Sequence, residues 1–248
     1  MIKLIVSDFD GTLMPYGESA VPQGVKDRLG KALDRGITVA VSSGRTYGEL
    51  VALLPEFADK IYFICCDGAY YVKDGKTLYE KKIESADLTQ FFARMDEDFA
   101  FVLHGAKNNY SVGNLPSEAL RFNATPIARA SDIKEKIFKL TTYRAETKLA
   151  PYSGLRSHWD GGKNASAQFV NRFANKGTAL SDLQTRLMLT KFDTACIGDS
   201  GNDVAMMRNA KYSFAVGNRS KELAAVTQVK VDKVEEAFDL LNNKGDGV

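Results

Sequence analysis

Asp8 and Asp10 stand one residue apart at the end of an apolar run, Ile2-Lys3-Leu4-Ile5-Val6-Ser7-Asp8-Phe9-Asp10-Gly11-Thr12-Leu13. The run reads as a buried strand, so two carboxylates are presented where it ends. In an open α/β sheet, ligands bind in the crevice outside the carboxyl ends of the strands. Two acids that close together repel each other in an apolar crevice, and a divalent cation is the simplest counter-charge. The pair therefore suggests phosphoryl chemistry on Mg²⁺. An Asp-x-Asp-Gly-Thr run arises by accident in roughly a few in a thousand chains of this length. Asp8 can attack phosphorus as a carboxylate nucleophile. Asp10 can protonate the leaving oxygen and later take a proton from water. Gly11 lets the chain turn away without a Cβ in the crevice.

Three further segments carry groups of the same chemistry. In Val41-Ser42-Ser43-Gly44-Arg45, the Ser43 hydroxyl and the Gly44 backbone N–H can donate to phosphoryl oxygens, with a helix N-terminus close behind; taken alone, Ser-Ser-Gly reads equally as an ordinary turn. In Asn175-Lys176-Gly177, a lysine stands where a helix begins. That end disfavours cations, a mild hint that Lys176 serves an anion, although judged in isolation it reads as a solvated surface lysine. In Cys196-Ile197-Gly198-Asp199-Ser200-Gly201-Asn202-Asp203, an apolar strand again ends at an acid. Asp199 and Asp203 add two carboxylates, and one or two direct carboxylates suffice for Mg²⁺. A helix N-cap role would explain one residue of this run but not all of it.

The elements that must position these groups follow from periodicity. A strand over 2–7 precedes a helix opened by Pro22 at its first position and closed by Gly36. A continuous β-branched strand over 37–41 follows, of the kind buried on both faces. Thr46-Tyr47-Gly48-Glu49 is a capping box that starts the next helix, and 61–65 is a third buried strand. This rhythm predicts a parallel sheet with helices on both faces. Asp74-Gly75 marks a hairpin turn between 69–72 and 77–83. Residues 84–171 change texture to α+β, with strands over 99–103, 137–143 and 165–170 and a turn at Asp160-Gly161-Gly162. Phe91-Phe92 with Met95 reads as the core face of a helix. From 172 the parallel rhythm resumes, with helices over 176–189, 202–209 and 234–241 and strands over 194–198, 212–216 and 228–231. The predicted domains are a core of 1–83 with 172–248 and an inserted domain of 84–171. The polar end, 242–248, is expected to fray.

Composition narrows the partners. The 33 basic and 31 acidic residues give a net charge of +2, which supports neither a nucleic-acid nor a membrane-surface partner. Three cysteines, Cys65, Cys66 and Cys196, lie in apolar runs without C-x-x-C spacing and read as reduced core thiols. With no signal peptide and no apolar stretch near the ~20 residues of a membrane span, a cytoplasmic location is expected. His104 and His158 have no metal-ligand partner at close spacing and read as packing or surface residues, with His158-Trp159 a candidate border of a sugar site. Arg144 and Arg156 are candidates for a second phosphate or a carboxylate.

Together, Asp8-Phe9-Asp10-Gly11-Thr12-Leu13, Ser43-Gly44-Arg45, Lys176 and Gly198-Asp199-Ser200-Gly201-Asn202-Asp203 resemble the four motifs of the haloacid dehalogenase-like phosphohydrolases, in order. The insert lies between the second and third motifs, as in members with the larger α+β cap. The nearest likeness is to the Cof-type sugar-phosphate phosphatases. The resemblance implies an α/β fold, with a Rossmann-like, doubly wound parallel core and an inserted cap. It implies Asp8 as nucleophile and Asp10 as general acid/base. It implies Mg²⁺ on the Asp8 carboxylate, the Asp10 carbonyl and Asp199, with Asp203 supporting, and Ser43, Gly44, Lys176 and Asn202 on the phosphoryl oxygens. One departure stands out: many relatives carry Asn-Gly after the third strand, where this chain has Asp67-Gly68.

The expected activity is Mg²⁺-dependent hydrolysis of phosphomonoesters, sugar phosphates or similar small metabolites, through an aspartyl phosphate. Asp10 would be kept protonated for the first step by burial and neighbouring carboxylates. The cap would close over the leaving group and set specificity, with hinges near 80–84 and 171–175. The alternatives are a phosphosugar mutase using the same Asp8 chemistry and a ligand-sensing protein that lost turnover. Nothing in the sequence bears on oligomeric state.

Overall fold

The computed structural model describes residues 1–93, 100–143, 154–160 and 166–243, and of residues 118, 121, 158–160, 242 and 243 the backbone alone. Met95, Arg144, most of the Asp160-Gly161-Gly162 turn, the side chains of His158 and Trp159, and the polar end lie outside what is described. The chain separates into two compact units, Met1–Tyr79 with Asn175–Val248, and Glu80–Ala174.

The first unit begins with β1 (Leu4–Asp8), α1 (Gln23–Asp34), β2 (Thr38–Ser42), α2 (Tyr47–Leu53), β3 (Tyr62–Cys65), β4 (Tyr70–Lys73) and β5 (Lys76–Glu80). Pro22 is the residue before α1, with extended ψ, rather than its first helical residue. The capping box at Thr46 is formed: Glu49 N–H donates to Thr46 Oγ1, and Thr46 N–H donates to Glu49 Oε2 at 2.8 Å. Asp74 and Gly75 both have positive φ, as the tight two-residue turn between β4 and β5 demands.

The inserted unit holds α3 (Ser85–Ala93), β6 (Ala100–Gly105), β7 (Asn109–Val112), β8 (Thr125–Pro126), β9 (Ile137–Tyr143), β10 (Leu155–Asp160) and β11 (Ser166–Asn171). Its six strands run β10-β11-β9-β6-β7-β8, antiparallel except for β7 and β8. Leu88 and Phe91 of α3 pack on Phe101, Leu103, Leu140 and Phe169 of one sheet face. This is the α+β texture read from the sequence; β7, β8 and β10 are short or mixed and lacked a periodic signal. His104 is a buried packing residue, its ring nitrogens within hydrogen-bond reach of Asn109 Oδ1 and Thr141 Oγ1.

The first unit resumes with α4 (Lys176–Arg186), β12 (Thr194–Gly198), α5 (Val204–Met207), β13 (Tyr212–Val216), α6 (Lys221–Ala224), β14 (Val229–Val231) and α7 (Val234–Asn243). Its sheet runs β14-β13-β12-β1-β2-β3-β4-β5. All pairs from β14 to β3 are parallel, and β4 reverses direction against β3. Leu4 and Val6 of β1 face Ala179, Leu180 and Leu183 of α4, while α1 packs beside α7 and β2. Burial of both faces explains why these strands read as unbroken apolar runs. The helix expected over 202–209 is shorter: a 3₁₀ turn, Gly201–Asp203, precedes the four residues of α5. Asp203 reaches back to the N–H of Ser200, which tightens that turn. α6 carries too few apolar positions to show a period and was not foreseen.

β1 lies between β12 and β2: the strands that follow it, β2 and β3, lie to one side and β12 to β14 to the other. That is the topological switch point of a doubly wound sheet, where the crevice opens. Asp8, Ser42 and Gly198 are the last residues of three adjacent parallel strands, so the segments that follow them share one edge.

Candidate active site

Lys176 lies at the centre of that edge. It is the first residue of α4, behind an Asn175–Thr178 capping box, and it is 1% exposed. Its Nζ donates to Asp8 Oδ1 at 2.5 Å and to Asp203 Oδ1 at 2.7 Å. Placing a cation at a helix N-terminus is unfavourable; two charge-assisted hydrogen bonds offset it. Burial works against the Lys176 charge, but Asp203, Asp8 and Asp67 outweigh it and hold the ammonium above its ordinary range.

Asp203 is fully engaged. Its second oxygen accepts from the N–H groups of Asp199 and Ser200, both at 3.1 Å. A Cβ on Gly198 would lie 2.5 Å from that oxygen, so only glycine lets Asp203 tuck under the end of β12. Asp8, Asp199 and Asp203 each bring a carboxylate oxygen within 4.8 Å of the others, all buried. Burial, then Asp203, raises the Asp8 carboxyl well above the usual carboxylate range against the pull of Lys176. Burial and Asp203 likewise raise Asp199.

These facts test the fit of a divalent cation. Three carboxylates against one ammonium leave two surplus negative charges when all are ionised. Asp199 Oδ1 is buried without a hydrogen-bond partner, a costly state for a carboxylate oxygen. All-oxygen donors suit Mg²⁺. The residues fit, with Asp8 and Asp199 as candidate ligands. Asp203, whose oxygens are committed to Lys176 and two backbone N–H groups, fits the supporting role.

Asp10 has different surroundings from those expected. Its side chain is 38% exposed, and its charged neighbour is a guanidinium rather than a carboxylate. Arg45 Nε lies 3.0 Å from both Asp10 oxygens and Nη2 lies 2.6 Å from Oδ1. Ser43, 1% exposed, accepts from Arg45 N–H at 3.1 Å and approaches Asp10 Oδ2 at 3.4 Å. Its hydroxyl is therefore turned to Asp10 in this state. Gly44 and Asn202 meet at Asp67. A Cβ on Gly44 would sit 3.3 Å from Asp67 Oδ2, and Asn202 Nδ2 donates to Asp67 Oδ1 at 3.2 Å. Asp67 and Cys66 both hold left-handed backbone, φ 56° and 49°, a conformation less readily adopted by cysteine than by aspartate.

A family profile described as haloacid dehalogenase-like hydrolase matches residues 5–237. The chain belongs to the haloacid dehalogenase-like hydrolases. Among curated proteins, it is 23% identical over 244 residues to the 5-amino-6-(5-phospho-D-ribitylamino)uracil phosphatase YbjI of Escherichia coli, covering 92% of this chain and 90% of that one. It is 26% identical to a phosphoglycolate phosphatase of Metallosphaera sedula, covering 93% and 92%. Among solved structures, the fold matches a haloalkanoate-superfamily phosphatase from Bacteroides thetaiotaomicron with a TM-score of 0.83 at 24% identity, covering 99% of this chain and 96% of that one. It also matches a subclass IIB sugar phosphatase at TM-score 0.80 and 19% identity, covering 98% and 99%. The expected α/β class and the resemblance to this family agree with these findings. No helix among the described residues is long and apolar enough to cross a membrane.

Within this hydrolase fold, the first unit alone brings together Asp8, Lys176, Asp199 and Asp203, and beside each other Asp10 with Ser43, and Gly44 with Asn202. Sequence reasoning gave no role to Arg45, although it stood inside the second motif. Nor did it single out Thr12, whose Oγ1 lies 3.4 Å from Asp8 Oδ2, or Tyr16. Tyr16 sits in a polar loop and meets its partner 183 positions away. Arg156 is turned to a structural contact, donating from Nε to the Ala174 carbonyl at 3.0 Å. The three cysteines are buried, and none of them forms a disulfide.

Proposed function

We propose that this hydrolase cleaves phosphomonoesters of small metabolites, sugar phosphates among them, by way of an aspartyl phosphate on Asp8. The observation that carries the reading is Asp8 itself: a buried carboxylate fixed by Lys176 beside Asp199, whose second oxygen has no partner. An Asp8 oxygen attacks phosphorus, and the bond to the ester oxygen breaks. Asp10 gives a proton to that oxygen and the alcohol leaves. Asp10 then takes a proton from water, which attacks phosphorus and releases phosphate, restoring Asp8. For the first step Asp10 must carry a proton, so its pair with Arg45 must open or shift when substrate enters. Ser43, released from Asp10 by the same change, then has its hydroxyl available for a phosphoryl oxygen, beside Gly44, Asn202 and Lys176. Mg²⁺ bound by Asp8 and Asp199, with the Asp10 carbonyl, would neutralise charge developing on the phosphoryl group.

The test is phosphate release from a panel of phosphorylated metabolites, with Mg²⁺ and without a bisphosphate activator. Release from at least one sugar phosphate, lost on chelation and in Asp8→Asn, is the expected result. No release from any panel member would sink the reading. Transfer to a second sugar hydroxyl without release would favour a mutase.

Asp67 sets a further expectation. Its carboxylate lies against Gly44 and Asn202 and acts on Lys176, so it opposes an arriving dianion. Asp67→Asn should tighten product inhibition by inorganic phosphate about five- to tenfold, a Coulombic effect of modest size across a partly wet pocket. Steady-state inhibition constants for phosphate measure it, and an unchanged or weaker constant would rule it out.

A further inference from the structure

Tyr16 belongs to none of the motifs, and the residue is 59% exposed. Yet its hydroxyl donates to Asp199 Oδ2 at 3.1 Å, and Asp199 is buried. The other oxygen of the same carboxylate, Oδ1, is one of two buried side-chain atoms among the described residues without a hydrogen-bond partner. The Tyr16 hydrogen bond restrains the rotation of this carboxylate, and its other oxygen, which shares the pocket with the Asp8 carboxyl, is available to coordinate.

The contact is supported from two sides. Gly11 lies beneath it: a Cβ there would sit 2.2 Å from Tyr16 Cε2 and 2.5 Å from Asp199 Oδ2, and Gly11 has φ +81°. Any side chain at position 11 would force the phenol and the carboxylate apart. On the ring, the Arg219 guanidinium carbon stands 3.8 Å from the centroid, a cation–π distance that restrains the ring. An ordinary phenol carries its proton at neutral pH, so Tyr16 can serve there as a donor.

We infer that Tyr16 is a positioning residue for the cation: by donating to Asp199 Oδ2, it aims Oδ1 into the acidic pocket as a ligand. The inference rests on the cation-dependent reading of that pocket and deepens it. Partners that orient a ligating carboxylate from outside the coordination sphere characteristically contribute 10- to 100-fold to metal affinity. The part played by Tyr16 is in holding the ligand, so saturating cation should restore turnover when its hydroxyl is removed. Arg219, which steadies the ring, should act in the same direction more weakly.

Mg²⁺ affinity of the full chain is to be measured by titration calorimetry for the wild type, Tyr16→Phe, Arg219→Met and Asp199→Asn, with metal-free thermal unfolding as the check on folding. Tyr16→Phe keeps the ring and removes only the donor. The expected result is a loss of about tenfold in Mg²⁺ affinity, with the metal-free midpoint unchanged and kcat at saturating Mg²⁺ within a few-fold of wild type. Should Tyr16→Phe not fold, Arg219→Met carries the same comparison. A loss smaller than threefold, with Asp199→Asn clearly weakened, overturns the role of Tyr16 alone. Equal Mg²⁺ affinity in wild type and Asp199→Asn overturns the cation-dependent reading itself.

Discussion

Asp8→Asn is expected to lower kcat by at least about 10³-fold while leaving the protein as stable as before, or more so. The two halves of that outcome have one cause. Asp8 is buried and crowded by Asp203 and Asp199, and these raise its carboxyl well above the ordinary range despite Lys176. Ionising it in the folded protein is therefore costly, and under the proposed mechanism the attacking group is a carboxylate kept short of solvent and pressed by like charge. Asparagine has nearly the same shape. Its amide oxygen can still accept from Lys176 at the position Asp8 Oδ1 occupies. The negative charge is gone, so the repulsion from Asp203 and Asp199 is relieved. Residues retained against stability characteristically mark active sites. Phosphate release and urea unfolding, measured on the same preparations, check both halves. A variant that keeps activity within tenfold of wild type would remove Asp8 from the nucleophile's role. One that loses activity together with several kcal/mol of stability would show a collapsed site, not a missing nucleophile.

The parts of the fold legible in the sequence were those governed by local rules. β12 and β13 were readable to the residue because each is a short apolar run bounded by turn-forming residues. The Thr46 capping box and the Asp74-Gly75 turn rest on interactions within four residues. The acids at strand ends were legible for the same reason, since a carboxylate straight after a buried run has few structural excuses. What stayed hidden were the long-range pairings that decide how each group is used. Nothing near Asp10 announces Arg45 as its partner, 35 positions on, and burial by other carboxylates was the expectation instead. Asn202 was read as part of a helix and as a phosphoryl contact. It sits in a 3₁₀ turn, because Asp203 turns back on Ser200, and it faces Asp67. The commitment of both Asp203 oxygens could not be foreseen either, because it depends on Gly198 leaving room beneath the strand end. Spacing identifies which residues carry charge; three-dimensional packing decides which oxygens remain unclaimed.

Lys176→Met should be the most damaging single change in the first unit, costing about 3–5 kcal/mol of stability at neutral pH along with turnover. Methionine matches the lysine stem in volume, so the loss is electrostatic. Among the described residues, the ammonium is the one cation within 2.7 Å of both Asp8 and Asp203. Without it, Asp203 keeps its two backbone donors but its other oxygen loses its partner. Removing one member of a buried ionic cluster strands the others, and the penalty reflects their desolvation more than the strength of the original bond. That distinction can be measured. Replacing Asp203 with asparagine in the same chain removes one stranded charge while preserving an acceptor. The double variant Lys176→Met/Asp203→Asn is therefore expected to recover about half of the lost stability, a coupling that additivity would not produce. Urea unfolding of the wild type, both single variants and the double variant, in chelator, supplies the cycle. Added Mg²⁺ should stabilise Lys176→Met more than wild type, because the cation then neutralises charge that lysine no longer balances. Simple additivity across the cycle, with no greater Mg²⁺ response, would mean that Lys176 is held by packing and that the acids beside it do not depend on its charge.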